Sequence, residues 1–420
     1  MTAQLIAETV SERLVLKAYS TATYDAVSEP APATDPAATG GQVWRHTDSF
    51  KMALAKTAYS PKEIRIDQQQ PIDKLGSKSL SVSVSTLLSC LTHKTPLEAV
   101  IGGTWTVAAV TSDNTTLISV AADSTTSKFT FAGGDTIAAG FFVGDIVRFT
   151  NLSEATDNTA NYVITGIGGT SNREWTVYPP PATMTADTSF TITTVGRSLI
   201  APETAPVARK FAIEEYQSGP DIARLGTEIR FGGFDLKAAP NALATLDFTG
   251  TGRNLVLYSG VNAPFFTSPT AQTTTDVISS MDGLLLIGSV AMPVTGLSIS
   301  FQRSLSAAVQ IKADGLAAGV VASDNAVISG DFSLWMTDTA AEAAYLAATE
   351  FAILAYLPAS NAANTPAMTF YLPRCIKTSA DPASSGGSKS VACKYSAGRP
   401  STPGIGVADT ALRIVDTEVT

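Results

Sequence analysis

TEIRFGGFDLKA (residues 227–238) and ALATLDFTGTGR (242–253) decide the reading of this chain. In the first, Ile229 and Phe231 alternate with Glu228 and Arg230. Gly232-Gly233 then permits a bulge that resets the phase, so Phe234 and Leu236 rejoin the same face and Asp235 and Lys237 stay opposite it. In the second, Ala244, Leu246 and Phe248 alternate with Thr245, Asp247 and Thr249. Two neighbouring strands with one apolar and one polar face predict half of a β-sandwich. KSVACKYSAGR (389–399) repeats the pattern, with Val391, Cys393 and Tyr395 against Ala392, Lys394 and Ser396, and both stretches end Gly-Arg.

The echo extends outward. Residues 48–86 run parallel to 299–337, each opening on Ser-Phe (Ser49-Phe50, Ser300-Phe301) and closing in an alternating strand that feeds a helix. The predicted helices are STLLSCLTH (85–93), capped by Ser85 or Thr86, and DTAAEAAYLAA (338–348), capped by Asp338. The two halves match in length once 104–198 is set aside. That segment is Thr-, Asp- and Gly-rich. KFTF, DIVRFTN, NYVITGIG, EWTVYP and SFTITTVG read in it as short strands between turns, a small inserted β-domain. KEIRIDQ (62–68) reads as a strand burying Ile64 and Ile66, and FAIEEY (211–216) as another.

Residues 4–19 allow a short amphipathic helix or, over 13–19, a strand. SEPAPATDPAATGG (28–41) reads as a linker, so residues 1–42 are expected to form an arm. The partition is thus 1–42 arm; 43–103 with 199–258, first unit; 104–198, insert; 259–420, second unit. The fold class is mainly β: two tandem β-sandwich or barrel units, each with one short helix, plus the insert.

Composition excludes several functions. The formal charge is −9 with no dense Lys/Arg cluster, which argues against tight duplex binding. Three cysteines make no disulfide framework and fit a reducing compartment. The N-terminus does not read as a signal peptide, and no apolar run approaches a membrane span. His46 and His93 lack metal-ligand spacing, and no cofactor is expected. GSKS at 76–79 and 387–390 lacks the upstream glycine of a phosphate loop and reads as a polar turn. Glu214 and Glu215, adjacent on one strand, point to opposite faces and cannot act on one substrate. No catalytic residue is assigned.

The segment 43–91, VWRHTDSFKMALAKTAYSPKEIRIDQQQPIDKLGSKSLSVSVSTLLSCL, resembles the N-terminal region of tail tube proteins of long, non-contractile-tailed bacteriophages (the siphophage type). The matching positions are Arg45, Ser49, Phe50, Ser60, Glu63, Ile64, Arg65, Asp67 and Gln69. Residues 210–253 and Leu372-Pro373-Arg374 add to the resemblance, which covers roughly 43–103 and 199–399. It implies a virion protein, assembled in the host cytoplasm, that polymerises as stacked rings into a conduit for DNA ejection. The implied partners are other copies of the chain and the tape measure, tail terminator and distal tail proteins. DNA would be met only in passage, and no membrane is involved. With two units per chain, three chains would make a pseudo-six-fold ring, its arm reaching the next ring. Thr245, Asp247, Thr249, Glu228 and Asp235 are the candidate lumen-facing residues; the same face could instead lie on the outer surface. A capsid decoration protein, a tail adhesin, or an enzyme on a β-sandwich are the competing readings.

Overall fold

The computed structural model describes residues 12–20, 35–62, 66–67, 69, 72–107, 109–202, 206–292, 294–309, 315–317, 319–362, 364–385, 388–400 and 410–417. The first half contains β1 (Glu12–Ala18), β2 (Gln42–Val43), β3 (Lys51–Tyr59), β4 (Lys74–Leu87) and helix α1 (Lys94–Ile101). A second group follows: β5 (Thr111–Asp113), the short helix α2 (Asn114–Leu117), β6 (Val120–Asp123), β7 (Lys128–Phe131), β8 (Ile146–Thr150), β9 (Asn161–Gly168), β10 (Glu174–Tyr178), β11 (Met184–Asp187) and β12 (Thr191–Thr194). The chain returns through β13 (Arg197–Ile200), β14 (Phe211–Gln217), β15 (Ile222–Ala238), β16 (Thr245–Gly252) and β17 (Asn254–Ser259). The second half is β18 (Leu284–Ile287), β19 (Val290–Ala291), β20 (Val294–Gln302), β21 (Leu305–Ala308), β22 (Gly319–Ala322), β23 (Val327–Trp335), α3 (Ala340–Leu346), β24 (Glu350–Pro358), β25 (Ala367–Ser385), β26 (Ser388–Ala397) and β27 (Arg413–Asp416).

β15 is the spine of the first half. Its register on β16 jumps from Phe231 opposite Gly250 to Gly233 opposite Thr249, leaving Gly232 as the extra residue. The phase therefore resets, and Ile229, Phe231, Phe234 and Leu236 are all buried. A side chain at Gly233 is opposed by the backbone, because a Cβ there would lie 2.7 Å from Phe301 O. Beyond the bulge, β15 belongs to one layer in the order β3-β4-β16-β15. Before it, β15 belongs to the second layer, in the order β2-β1-β14-β15-β17.

The second half repeats this arrangement strand for strand. Its first layer runs β20-β23-β26-β25, and β25 also bulges, between Lys377 and Ser379. Its second layer runs β19-β18-β24-β25-β27, with β13 added at the edge. α1 packs on β15, and α3 on β25. β15 pairs directly with β20, so the two first layers fuse into one eight-strand band, β3-β4-β16-β15-β20-β23-β26-β25. The core lies between the layers and is continuous across both halves: Phe234 stacks on Phe301 at 5.9 Å across the β15–β20 junction.

Residues 111–194 form a separate eight-strand antiparallel sheet, β11-β6-β7-β10-β9-β8-β12-β5. It has its own core around Trp175, Phe129 and Phe149. The chain enters and leaves it through a neck where Thr106 and Ser198 exchange both backbone hydrogen bonds, at 2.8 and 3.1 Å. The sheet rests on the second half. Val143, Ile146 and Val163 pack on Leu286, Leu354 and Tyr371. Asp145, deeply buried, accepts from Arg413 Nε at 3.1 Å and Nη2 at 2.5 Å.

Several expectations are corrected. The arm expected over 1–42 is not an arm at Glu12–Ala18: these residues form β1, with Leu14, Val15 and Leu16 buried, so the strand reading of 13–19 holds. Residues 28–34 of the expected linker lie outside the described residues. The helix expected at 85–93 begins at Lys94. β4 runs on to Leu87 because Thr86 and Leu87 pair with Leu246 and Thr245, and the turn after it needs Leu91 at φ +66. Pro96 is tolerated in the first helical turn, where N–H groups lack intrahelical partners, and Gly102 at φ +76 closes the helix. Of KEIRIDQ, Ile66 and Asp67 lie in a turn with Ile66 fully exposed; 63–65 and Gln68 lie outside the described residues. The polar turn expected at 76–79 is strand, inside β4. The helix expected at 338–348 is present as Ala340–Leu346, but its N-cap position is Thr339 rather than Asp338; Asp338 Oδ1, one residue earlier, accepts from Ala340 N at 2.8 Å.

His93 is sealed into the first-half core. Trp44 Nε1 donates to its Nδ1 at 3.4 Å, so Nε2 carries the proton and donates to Leu87 O at 2.9 Å. Burial pushes this imidazole down from 6.5 to about 4, against the pull of the Leu87 carbonyl. The unfolded chain therefore takes up the proton first as pH falls. The neutral histidine's contribution is complete above pH 6.5 and is lost progressively toward pH 4, about 3 kcal/mol at the limit. Urea midpoints at pH 7, 5.5 and 4.5 are expected to fall more steeply for the native chain than for His93→Gln. Parallel curves would show that His93 is not a source of the slope.

Candidate channel face and assembly edges

The band has one apolar and one polar face. Across the polar face, residues meet in cross-strand rows. Ser81, Ser83 and Ser85 of β4 lie opposite Thr251, Thr249 and Asp247 of β16. Asp247 lies opposite Asp235, Asp235 opposite Ser300, and Ser300 opposite Ser329. The rows continue through Ser396 opposite Ser329, Lys394 opposite Asp331, and Asp381 opposite Ala392. The surface is thus small and hydroxyl-rich, with carboxylates and ammonium groups interspersed. The like charges of Asp235 and Asp247 are offset locally: Lys237 Nζ sits 3.4 Å from Asp247, and Gln302 Nε2 donates to both oxygens of Asp235 at 3.4 and 3.3 Å. Such a face offers no row of cations to hold a polyanion.

Thr245, Asp247, Thr249 and Asp235 all lie on this face, as their parity requires. Glu228 does not. It is fully buried at φ +48, where β15 crosses between layers, with Lys210 Nζ and Arg253 Nη1 each 3.6 Å from its carboxylate. Alternation along β15 correctly turns Glu228 away from Ile229. Tyr19, just after β1, lies against it, its hydroxyl accepting from Glu228 N at 3.1 Å and its ring 5.7 Å from Lys210 Nζ. A segment distant in sequence takes the neighbouring arginines: Arg253 Nε donates to Ala317 O at 2.7 Å, and Arg230 to Val320 O at 2.8 Å. Only a lysine before β14 and an arginine after β16 hinted at this cluster.

The motif residues Arg45, Phe50, Asp67 and Gln69 have local roles. Arg45 Nη1 donates to Thr275 O at 2.6 Å, tying the first half to the segment that leads into the second. Phe50 packs half-buried on the core, and Asp67 Oδ1 accepts from Gln69 N at 3.3 Å. Glu63, Ile64 and Arg65 lie outside the described residues. Glu214 and Glu215 point to opposite faces. Glu214 accepts from the backbone N–H groups of Phe265 and Phe266 and from Arg13, while Glu215 pairs with Arg224 at 2.8 Å. Both are structural. The three cysteines are buried free thiols, pushed up by burial, Cys375 to about 12. Among the described residues no cluster of metal-ligating side chains occurs and no helix is long and apolar enough to cross a membrane.

The band has two ends. β3 pairs only with β4, and β25 beyond its bulge pairs only with β26, among the described residues. Open edges of this length are templates for pairing with another chain.

The family model described as phage tail tube protein matches residues 14–398. No protein of curated function matches the chain.

Proposed function

The chain belongs to the phage tail tube protein family, structural proteins of the virion tail, and from that premise we propose that three copies close into a ring of six similar units. The carrying observation is the repeated strand order, fused into one band with an open edge at each end. Three eight-strand bands give a barrel of about 24 strands. At the usual strand spacing and tilt this is roughly 50 Å across between backbones. The apolar face must lie inward between the layers of each unit, which leaves the hydroxyl-rich face, with Thr245, Asp247, Thr249 and Asp235, to line the lumen. A conduit for DNA needs such a face, because phosphate-binding cations would hold the cargo that must slide. Stacked rings form the tube in a tail of the siphophage type, between the tape measure, tail terminator and distal tail proteins. We further assign β1 together with 43–103 and 199–258, and 259–420, as the two tube units, and 104–198 as an inserted domain on the tube exterior.

Electron microscopy of the purified protein at rising concentration tests this. Hollow rings or tubes whose end-on averages contain three chains are expected. Compact particles without a channel at any concentration would overturn the reading and favour a decoration or adhesin role; rings of six chains would overturn the trimer.

A further inference from the structure

We propose that the contact between chains copies the β15–β20 junction within the chain: β25 beyond its bulge pairs antiparallel with β3 of a second copy, with Asp381 opposite the partner subunit's Ala53. This rests on the ring reading above and adds the seam and its register.

The register follows from the matched bulges. In the first half the bulge falls where Phe231 opposes Gly250 and Gly233 opposes Thr249; in the second, Lys377 opposes Tyr395 and Ser379 opposes Lys394. Gly233 therefore corresponds to Ser379 and Asp235 to Asp381, so both edges carry an aspartate at the same place. On the other side of the junction, Ser300, Ser329 and Ser396 line up across three strands, as Ala53, Ser81 and Thr251 do. Ser300 thus corresponds to Ala53, and Phe301 to Leu54. The Ser-Phe echo at 49–50 and 300–301 is accordingly not the structural correspondence. Within the chain Asp235 opposes Ser300 and Phe234 opposes Phe301. Between chains the same geometry sets Asp381 against the partner's Ala53 and Ala380 against the partner's Leu54.

An ion pair supports the copy independently. Phe211 opposes Ile229 beside a bulge, as Phe351 opposes Cys375. Lys210 and Glu228 therefore correspond to Glu350 and Arg374, a salt bridge with its charges exchanged, at 2.5 Å in the second half. The first-half pair is buried, with Tyr19 against Lys210 and Glu228, and Arg253 linking Glu228 to the connection between β20 and β23, whose Ala317 and Val320 carbonyls take the Arg253 and Arg230 donors. The second-half pair is exposed, 40% at Arg374 and 50% at Glu350. The connection that corresponds to that between β20 and β23 is the one between β3 and β4. Its described Ile66 and Ile72 stand in solvent, 104% and 82% exposed. A partner whose β3 pairs with β25 brings that connection over Glu350 and Arg374.

Asp381→Cys/Ala53→Cys, oxidised after assembly and run on a non-reducing gel, tests the register. Both positions lie outside the core, so folding should survive. Asp235→Cys/Ser300→Cys, which closes within one chain, calibrates the geometry, and Asp381→Cys/Ala55→Cys samples a two-residue slip on the same face. Efficient chain-to-chain linkage at 381–53, at least tenfold above 381–55, is expected. Rings visible by microscopy with linkage at 381–55, or with none at 381–53, would overturn the seam and leave the tube reading standing. No rings and no linkage at any concentration would overturn both.

Discussion

Glu228→Ala is expected to destabilise the free subunit by about 3–5 kcal/mol, while Glu350→Ala leaves its unfolding midpoint unchanged. The two carboxylates occupy corresponding places in the two halves and differ in what surrounds them. Glu228 is 0% exposed between Lys210 and Arg253, themselves 2% and 0% exposed at the side chain. Removing it leaves two cations buried without their counter-charge, and that desolvation is no longer offset. Glu350 and Arg374 face water, where losing one partner exposes the other to solvent it already touches. Urea unfolding followed by tryptophan fluorescence measures both. A Glu228→Ala loss below about 1 kcal/mol would mean that the cluster relaxes and admits water. Within assembled tubes, where the seam covers the second pair, Glu350→Ala should acquire an effect that the free subunit lacks.

The local pattern of this fold is legible in the sequence wherever pairing follows alternation. The Gly232-Gly233 phase reset, the polar parity of Thr245, Asp247 and Thr249, and the strands at 128–131, 146–150, 161–168, 174–178 and 191–194 can each be read from a few neighbouring residues. What escapes is set by distant partners. Leu87 stays in β4 because Thr245 lies opposite it, not because of its own neighbours. Glu228 has the parity of a surface residue and is fully buried among Tyr19, Lys210 and Arg253, of which only Lys210 and Arg253 lie within twenty-five positions of it in sequence. The duplication shows in composition and order. Its residue-by-residue match emerges only from the bulges, which fix register where similarity cannot.

β1 carries the other large effect. A chain lacking residues 1–42 is expected to lose its fold rather than merely its assembly. β1 pairs along its whole length with β14, and Leu14 and Val15 are 0% exposed, Leu16 5%. Burying three such side chains contributes about 2 kcal/mol each, roughly 6 kcal/mol in all. That is comparable with the whole stability of a typical domain. The deletion also removes Arg13, which donates to Glu214 at 3.3 Å, so that a fully buried carboxylate loses its cation. It strips one edge of β14 as well, which favours aggregation. The protein should be recovered insoluble, or soluble without a cooperative melting transition by circular dichroism. Deletion of residues 1–11 stops short of β1 and should leave melting as in the full chain. Cooperative melting of the 1–42 deletion at the full-length temperature would show that β1 is dispensable. Only the shorter deletion separates folding from assembly, and any part the N-terminus plays in joining successive rings has to be read from the tubes that variant forms.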